Sequence, residues 1–260
     1  MMNRSDILVA KIGGSTLGAH DTALEDIVAL QRRGVRPVVV HGGGPLINEW
    51  LKAHGVPSRF ERGLRVTDAR TLDVVVAVLA GLVNKRLVAA LTAGGGRAVG
   101  LSGVDGGLFK ARVLDGKLGY VGEVTEVDAR LLLDLMEDGL VPVVAPIAVE
   151  WRGEAPTKQL LNINADTAAG AVAVALAARW LVFLTDVPGI RGEDGETVTA
   201  LSSARAGALT EAGVIEGGMI PKVEACLKAS AAGCRSVIAD GRKTGALLKA
   251  IEDRTGTMVG

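Results

Sequence analysis

Two apolar runs that stop at glycines and turn straight into helices constrain this chain more than any other feature. Ile7-Leu8-Val9-Ala10-Lys11-Ile12 leads into Gly13-Gly14-Ser15, and Pro37-Val38-Val39-Val40-His41 leads into Gly42-Gly43-Gly44-Pro45. Short unbroken aliphatic runs of this kind read as strands buried on both faces. Between them, Thr22 and Glu25 have capping-box spacing, Leu24, Ile27 and Val28 recur at helical spacing, and Gly34 stands where a left-handed residue ends a helix. Pro45 suits the first turn of a further helix, whose Leu46, Ile47, Trp50 and Leu51 form one face before Gly55. Strand, helix and strand in this order predict an α/β fold: a parallel sheet with right-handed crossovers and ligands at the carboxyl ends of its strands.

The rest of the chain continues the alternation. The pattern predicts a long apolar helix over 68–93, a strand over 98–101, a helix over 129–137 and a strand over 140–145. A helix over 165–179 and a strand over 180–185 follow, then helices near 203–212, 221–232 and 244–251 with strands at 236–239 and 256–259. Residues 109–114 and 118–124, separated by Asp115-Gly116-Lys117, break the order as an antiparallel hairpin that could act as a lid.

Composition excludes several classes. The 260 residues are 48% hydrophobic and 22% charged with a formal net charge of zero, so no broad basic face is available for nucleic acid and any bound anion is small. Cys226 and Cys234 form neither a C-x-x-C motif nor a disulfide framework and read as buried thiols of a cytoplasmic protein. The uninterrupted apolar run over 168–178 is closed by Arg179, short of the roughly 18–20 residues that span a bilayer, and no signal peptide is visible, so no membrane partner is expected. His20, His41 and His54 lie in unrelated settings, which argues against a protein-built metal site.

The chemistry concentrates in a few clusters. Lys11 puts an ammonium on a core strand directly before two glycines, either as an anion ligand or as a cation snorkelling from a strand end. Gly42-Gly43-Gly44 would lay bare N–H groups at the positive end of the helix that Pro45 opens. Asn162, Asn164 and Asp166 precede and begin a helix; one of them suits a cap, and three are more than a cap requires. Lys222 follows Gly217-Gly218 in the first turn of a helix, where a cation opposes the dipole unless an anion compensates. Arg65, in the loop Gly63-Leu64-Arg65-Val66-Thr67 just before a helix, either forks onto a carboxylate or stands solvated. No G-x-x-x-x-G-K-[ST], no G-x-G-x-x-G after a strand and no G-x-S-x-G occurs, so P-loop, dinucleotide and nucleophile-elbow chemistry are not indicated.

Taken together, Lys-x-Gly-Gly at 11–14, His-Gly-Gly-Gly at 41–44, Gly-Leu-Arg-Val-Thr at 63–67, Asn-x-Asn-Ala-Asp at 162–166, Thr-Asp-Val-x-Gly-Ile at 185–190 and Gly-Gly-Met-x-x-Lys at 217–222 resemble the amino acid kinase family, in order and spacing, over essentially the whole chain. The resemblance implies a three-layer αβα sandwich of carbamate-kinase-like type with a mainly parallel central sheet. An N-terminal lobe over 1–178 would bind N-acetyl-L-glutamate and dimerise, and a C-terminal lobe over 179–260 would bind ATP. The implied reaction transfers the ATP γ-phosphate to the acceptor's γ-carboxylate, a step of arginine biosynthesis, with Mg²⁺ held by nucleotide phosphates and water.

By the same resemblance Lys11 and Lys222 stabilise the phosphoryl group, with Lys11 also an ATP ligand, and Asp166 holds both lysines. Gly13 and Gly14 serve the nucleotide phosphates. Gly43, Gly44, Arg65 and Asn162 serve the acceptor. Asp186, Val187, Pro188, Gly189, Ile190 and Arg191, with Val214, Ile215 and Glu216, border ATP. Only about six residues precede the first strand, where arginine-inhibited relatives carry an extra helix, so an arginine-insensitive homodimer is expected. The rival readings are a kinase for carrier-protein-bound aminoadipate or glutamate, from which Gly63–Thr67 and the Ile220-Pro221 pair differ, and a non-catalytic nucleotide-binding module, which would be expected to have lost Lys11, Asp166 or Lys222.

Overall fold

The computed structural model describes residues 6–14, 22–61, 63–192 and 194–260; Ser15 and His20 lie outside the described residues. The chain opens as the sequence predicts, with β1 (Ile7–Ile12), α1 (Ala23–Arg32), β2 (Arg36–His41) and α2 (Gly44–Ala53). Gly34 has φ +85°, the left-handed turn expected after α1. The capping box is not formed. Thr22 makes no cap bond, because its Oγ1 accepts the N–H of Gly245 at 2.9 Å, and buried Asp26 accepts from Leu247 N at 3.0 Å. The polar start of α1 therefore caps the last helix of the chain instead of itself.

Two-residue strands β3 (Phe60–Glu61) and β4 (Leu64–Arg65) then form a small hairpin, too short for periodicity to disclose. The long apolar helix runs as α3 (Ala69–Val76), a π-helical segment over Ala77–Val83, and α4 (Asn84–Ala93), with Asp68 accepting from Thr71 N at 2.8 Å as its cap. These 25 residues, with mean hydropathy 2.0 over their most apolar stretch, are long and apolar enough to cross a bilayer. A count of uninterrupted apolar runs misses this helix because charged residues punctuate it. Here its Val75, Val78, Leu79, Val83, Leu87 and Leu91 are buried.

There follow β5 (Ala98–Ser102), β6 (Phe109–Val113), β7 (Val121–Val127), α5 (Arg130–Glu137), β8 (Val141–Ala145), β9 (Ile147–Arg152), β10 (Ala155–Ile163), α6 (Ala165–Ala175) and β11 (Trp180–Thr185). The chain finishes with β12 (Ala200–Leu201), α7 (Ser203–Glu211), α8 (Met219–Ala231), β13 (Arg235–Asp240), α9 (Ala246–Glu252) and β14 (Thr257–Val259). The hairpin expected over 109–124 is present as β6 and β7. It does not stand alone: β9 and β10 close it into a four-stranded barrel. Neither was anticipated, since Ala155-Pro156-Thr157-Lys158-Gln159 lacks the alternation that marks a strand.

The main sheet has eight strands in the order β12-β14-β13-β11-β1-β2-β8-β5. All pairings are parallel except that between β13 and β14, so two reversed strands finish one edge. β1 lies between β11 and β2, and its Ile12 is level with Leu184 on one side and His41 on the other. Three strands thus end side by side, and their exits, Gly13, Gly42 and Thr185, are neighbours.

Successive residues of a buried strand feed opposite cores. Ile7 and Val9 of β1, Val38 and Val40 of β2, and Leu181 and Phe183 of β11 share one core with Ala168, Ala169 and Val172 of α6 and Val223 and Ala225 of α8. Leu8, Ala10 and Ile12 join the other core, with α1 and the long helix. Lys11 belongs by parity to the α6 and α8 side, so the one cation on the central strand faces the helices that carry Asp166 and Lys222.

Candidate active site

Asn164 is the cap of α6: its Oδ1 accepts from Asp166 N at 2.8 Å and Thr167 N at 3.1 Å. With the backbone satisfied by Asn164, the carboxylate of Asp166 is released to face the sheet. It stands 2.6 Å from Lys11 Nζ through Oδ1, as an ion-pair contact without aligned hydrogen-bond geometry, and accepts from Lys222 Nζ at 2.8 Å through Oδ2. Lys222 also donates to Gly218 O at 2.8 Å, one turn back in its own chain.

Helix packing fixes the distance from Asp166 to Lys222. A Cβ on Gly170 would lie 2.9 Å from Ala225 Cβ and 3.2 Å from Ala225 Cα, so α6 and α8 approach almost backbone to backbone at this point. Asp166 lies one helical turn before Gly170, and Lys222 just under one turn before Ala225. The contact therefore brings their polar ends together. Two ammonium groups and one carboxylate leave the centre with one surplus positive charge. Burial works to raise the pKa of Asp166, but the charges of Lys11 and Lys222, with the hydrogen bond from Lys222, outweigh it and hold the carboxyl below its usual range.

The centre opens into a cavity of about 420 Å³ lined by Lys11, Gly13, Gly14, Gly43, Gly44, Arg65, Asn162, Asp166, Asp186 and Lys222, which brings together ten of the residues selected from sequence. Gly14 packs against the second glycine loop, where a Cβ would come within 3.0 Å of Gly43 Cα and Gly44 N and 2.9 Å of Pro45 Cδ. Gly44 has no atom within 4 Å of its missing Cβ and faces open space at the N-terminus of α2. Gly13, however, donates its N–H to Leu184 O at 3.3 Å, which extends the sheet by one rung beyond Ile12.

Arg65 forms the opposite wall. It is only 8% exposed, and its fork donates to Ser58 Oγ at 2.6 Å and Asn48 Oδ1 at 2.7 Å while the guanidinium carbon lies 4.6 Å from the Phe60 ring centroid. No carboxylate among the described residues pairs with it, and desolvation pulls its pKa down. A buried guanidinium held by neutral partners is a standing site for a carboxylate brought in from solvent. Asn48 and Ser58 gave no sequence signal; they are legible only because the chain folds back over α2.

His41 is fully buried. Its Nδ1–H donates to Gly42 O at 3.0 Å and its Nε2 accepts from Asn84 Nδ2 at 3.2 Å. Desolvation, with help from the charges of Lys11 and Lys85, lowers its pKa from 6.5 to about 4, so the ring is neutral and structural. Val187–Arg191 and Val214–Glu216 do not line the cavity. Ile190 and Ile215 are buried together in the core on the α8 side, and Asp186, Arg191 and Glu216 are exposed beside it. Cys226 and Cys234 are free and buried; burial pushes the first thiol well up and the second to about 12.

An open αβα sheet whose central strand ends at a glycine cradle, with a lysine–carboxylate–lysine centre and a buried arginine across the cavity, defines a phosphotransferase for small acids. The chain belongs to the amino acid kinase family, whose model matches residues 6–240. It is 43% identical over 255 residues to an acetylglutamate kinase of Dehalococcoides mccartyi, covering 97% of this chain and 94% of that one. It is 48% identical over 246 residues to an acetylglutamate kinase of Ruegeria sp. (strain TM1040), covering 93% and 84%. The crystal structure of smu.665 from Streptococcus mutans UA159 superposes with a TM-score of 0.85 at 35% identity over 98% of both chains.

Proposed function

We propose that this chain phosphorylates the γ-carboxylate of N-acetyl-L-glutamate with ATP, giving N-acetyl-L-glutamyl 5-phosphate for arginine biosynthesis. The observation that carries the reading is the pairing of Lys11 and Lys222 on one buried carboxylate, Asp166, in the same cavity as an arginine that pairs with no carboxylate among the described residues. The identity to acetylglutamate kinases along nearly the whole chain supports the choice of acceptor.

The acceptor carboxylate is already ionised at neutral pH, so no general base is required, in keeping with a neutral and fully engaged His41. Its oxygen forms a bond to the γ-phosphorus while the bond from that phosphorus to the β–γ bridging oxygen breaks, and the electron pair leaves on ADP. Little covalent help is needed, and positioning with charge neutralisation carries the rate. Lys11 and Lys222 would face the equatorial oxygens of the transferred group, oriented by Asp166. Arg65 would hold the α-carboxylate, Asn162 the amide, and the Gly43 and Gly44 backbone the reacting end.

The glycine cradle fits phosphates, since Gly14 and Gly43 are held as bare backbone by their contacts with Pro45 and Leu79, and Gly44 faces open space at the start of α2. Mg²⁺ would be held chiefly by nucleotide phosphate oxygens and water, and would supply positive charge that offsets theirs. Asp186, Arg191, Glu216 and the backbone of Val187–Ile190 and Val214–Ile215 would border the rest of ATP. In this reading residues 1–178 carry the acceptor and 179–260 the nucleotide, on a sheet that runs unbroken through both.

A cytoplasmic homodimer completes the proposal. Val76 and Ala80 are only half-buried and Ala77 and Gly81 exposed on one side of the long helix, and this small apolar face suits a second copy. Light scattering in line with gel filtration would give twice the 26.7 kDa chain mass if so, and the chain mass if not. For the activity, a coupled assay for ADP is run with N-acetylglutamate, glutamate and aspartate in turn. Release with N-acetylglutamate alone is expected; no release with any acid would leave a non-catalytic nucleotide-binding module. Lys222→Ala should lower turnover far more than it raises the acceptor KM.

A further inference from the structure

Thr67 is wholly buried beneath the cavity floor and ties three elements together. Its N–H donates to Leu118 O at 2.9 Å and its carbonyl accepts from Tyr120 N at 2.7 Å, so it forms a bridge to the turn of the barrel around Gly119. Gly119 has φ +70°, and a Cβ there would overlap Thr67 O, so the close approach requires glycine. The Thr67 hydroxyl donates to Arg65 O at 2.8 Å and accepts from Asn162 Nδ2 at 3.0 Å. One side chain therefore touches both residues assigned to the acceptor's polar groups.

The direction of that hydrogen bond follows from counting protons. A hydroxyl has one proton, and a backbone carbonyl can only accept, so the Thr67 proton is committed to Arg65 O. Toward Asn162 the hydroxyl oxygen has only lone pairs to offer. Asn162 must present its amino group to Thr67, because the flipped amide would set two oxygens face to face with no proton between them. The backbone of Asn162 is pinned as well, its N–H donating to Tyr120 O at 2.9 Å and its position paired with Val121. The amide carbonyl of Asn162, which accepts from no described residue, remains as a hydrogen-bond acceptor on the cavity wall.

We infer that Thr67 is a specificity-determining positioning residue: by fixing the orientation of the Asn162 amide it makes the pocket demand a neutral N–H beside the carboxylate that Arg65 receives, the signature of an N-acylated amino acid. The inference rests on the acceptor reading proposed above and adds to it the reason for choosing an amide. An acceptor with oxygen in place of that N–H would set two lone pairs against each other, whereas a freed Asn162 could turn its amino group toward such a molecule.

The test compares N-acetyl-L-glutamate with 2-acetoxyglutarate, its ester analogue, on the wild-type chain, Thr67→Val and Thr67→Ser. The wild type should prefer the amide by at least about 50-fold in kcat/KM, since a site built for an N–H rejects the analogue without it. Thr67→Val should raise the KM for N-acetylglutamate about tenfold, leave the KM for ATP unchanged, and shrink the preference for amide over ester to a few-fold. Thr67→Ser should restore both.

A Thr67→Val chain with lowered stability or turnover but an intact amide preference would show a merely structural threonine, and a wild type indifferent to the ester would also overturn the inference. If Thr67→Val does not fold, Thr67→Cys, whose thiol is a weak acceptor, takes its place with the same expected outcome. Absence of turnover of N-acetylglutamate by the wild type would instead defeat the acceptor reading itself.

Discussion

Lys11 Nζ lies 2.6 Å from Asp166 Oδ1, joining the middle strand of the sheet to the first turn of a helix that begins more than a hundred residues later. The carboxylate also carries Lys222, so it sets the spacing of the two cations proposed to act on one phosphoryl group. Asp166→Asn keeps the shape and removes the charge that holds the lysines. Steady-state kinetics should show kcat reduced by about 10²-fold or more with a much smaller change in the acceptor KM. Because the folded-state pKa of Asp166 is lowered, its contribution to stability is present above the ordinary carboxylate value and is lost as pH falls through the depressed one.

Gly170 is the helix-packing counterpart of that pair. A side chain there meets the Ala225 backbone at 3.2–3.3 Å, and backbone cannot rotate away. Gly170→Val should force α6 and α8 apart, cost about 1–3 kcal/mol and move Asp166 from Lys222. Urea denaturation and kcat should both report the loss; an unchanged kcat in a destabilised variant would separate this packing from catalysis.

Arg65 offers a different split. Arg65→Ala removes charge-assisted hydrogen bonds of about 1.5–3 kcal/mol, so the acceptor KM should rise about 10- to 100-fold with kcat little changed. Arg65→Lys should rescue poorly, because an ammonium cannot fork onto Ser58 and Asn48 while still facing a carboxylate.

Two alanine substitutions thirty residues apart should behave oppositely in a melting experiment. Gly14→Ala drives a methyl into Pro45 and the Gly43–Gly44 backbone and should lower Tm by at least about 3 °C and weaken ATP binding. Gly44→Ala meets nothing within 4 Å and should leave Tm unchanged. A drop of the same size in both would mean that the loops are not packed as described.

His41 should make stability depend on pH. Its pKa is about 4 in the folded chain and 6.5 as a reference, so the unfolded state binds the proton first as pH falls. Stability is complete above about 6.5 and is lost progressively toward 4, by about 2 kcal/mol between pH 7.5 and 5. Urea midpoints across that range should fall for the wild type and flatten for His41→Asn.

Much of this was legible in the chain itself. Ile7–Ile12 and Pro37–His41 are aliphatic without alternation because strands in the middle of a parallel sheet are covered on both faces, and glycine ends them wherever backbone must approach backbone or ligand. Lys11 and Lys222 were visible because a cation is costly on a core strand or in the first turn of a helix unless something compensates it, whereas Asp166 and Arg65 stood out only through the motifs around them. Sequence could not disclose that Lys11 shares its face of β1 with α6 and α8, since parity chooses a side only after the helices have chosen theirs. It missed β9 and β10, whose stability comes from closing a barrel and not from their own pattern, and it mistook Thr22 for a cap, because the helix end that Thr22 serves lies at the other end of the chain. The partners Asn48, Ser58 and Thr67 are ordinary polar residues until folding buries them. What local propensity and burial dictate, the linear order already contained; which distant charges and hydroxyls meet was decided by sheet order and helix packing, because a hydrogen bond depends on tenths of an ångström and sequence separation carries no such information.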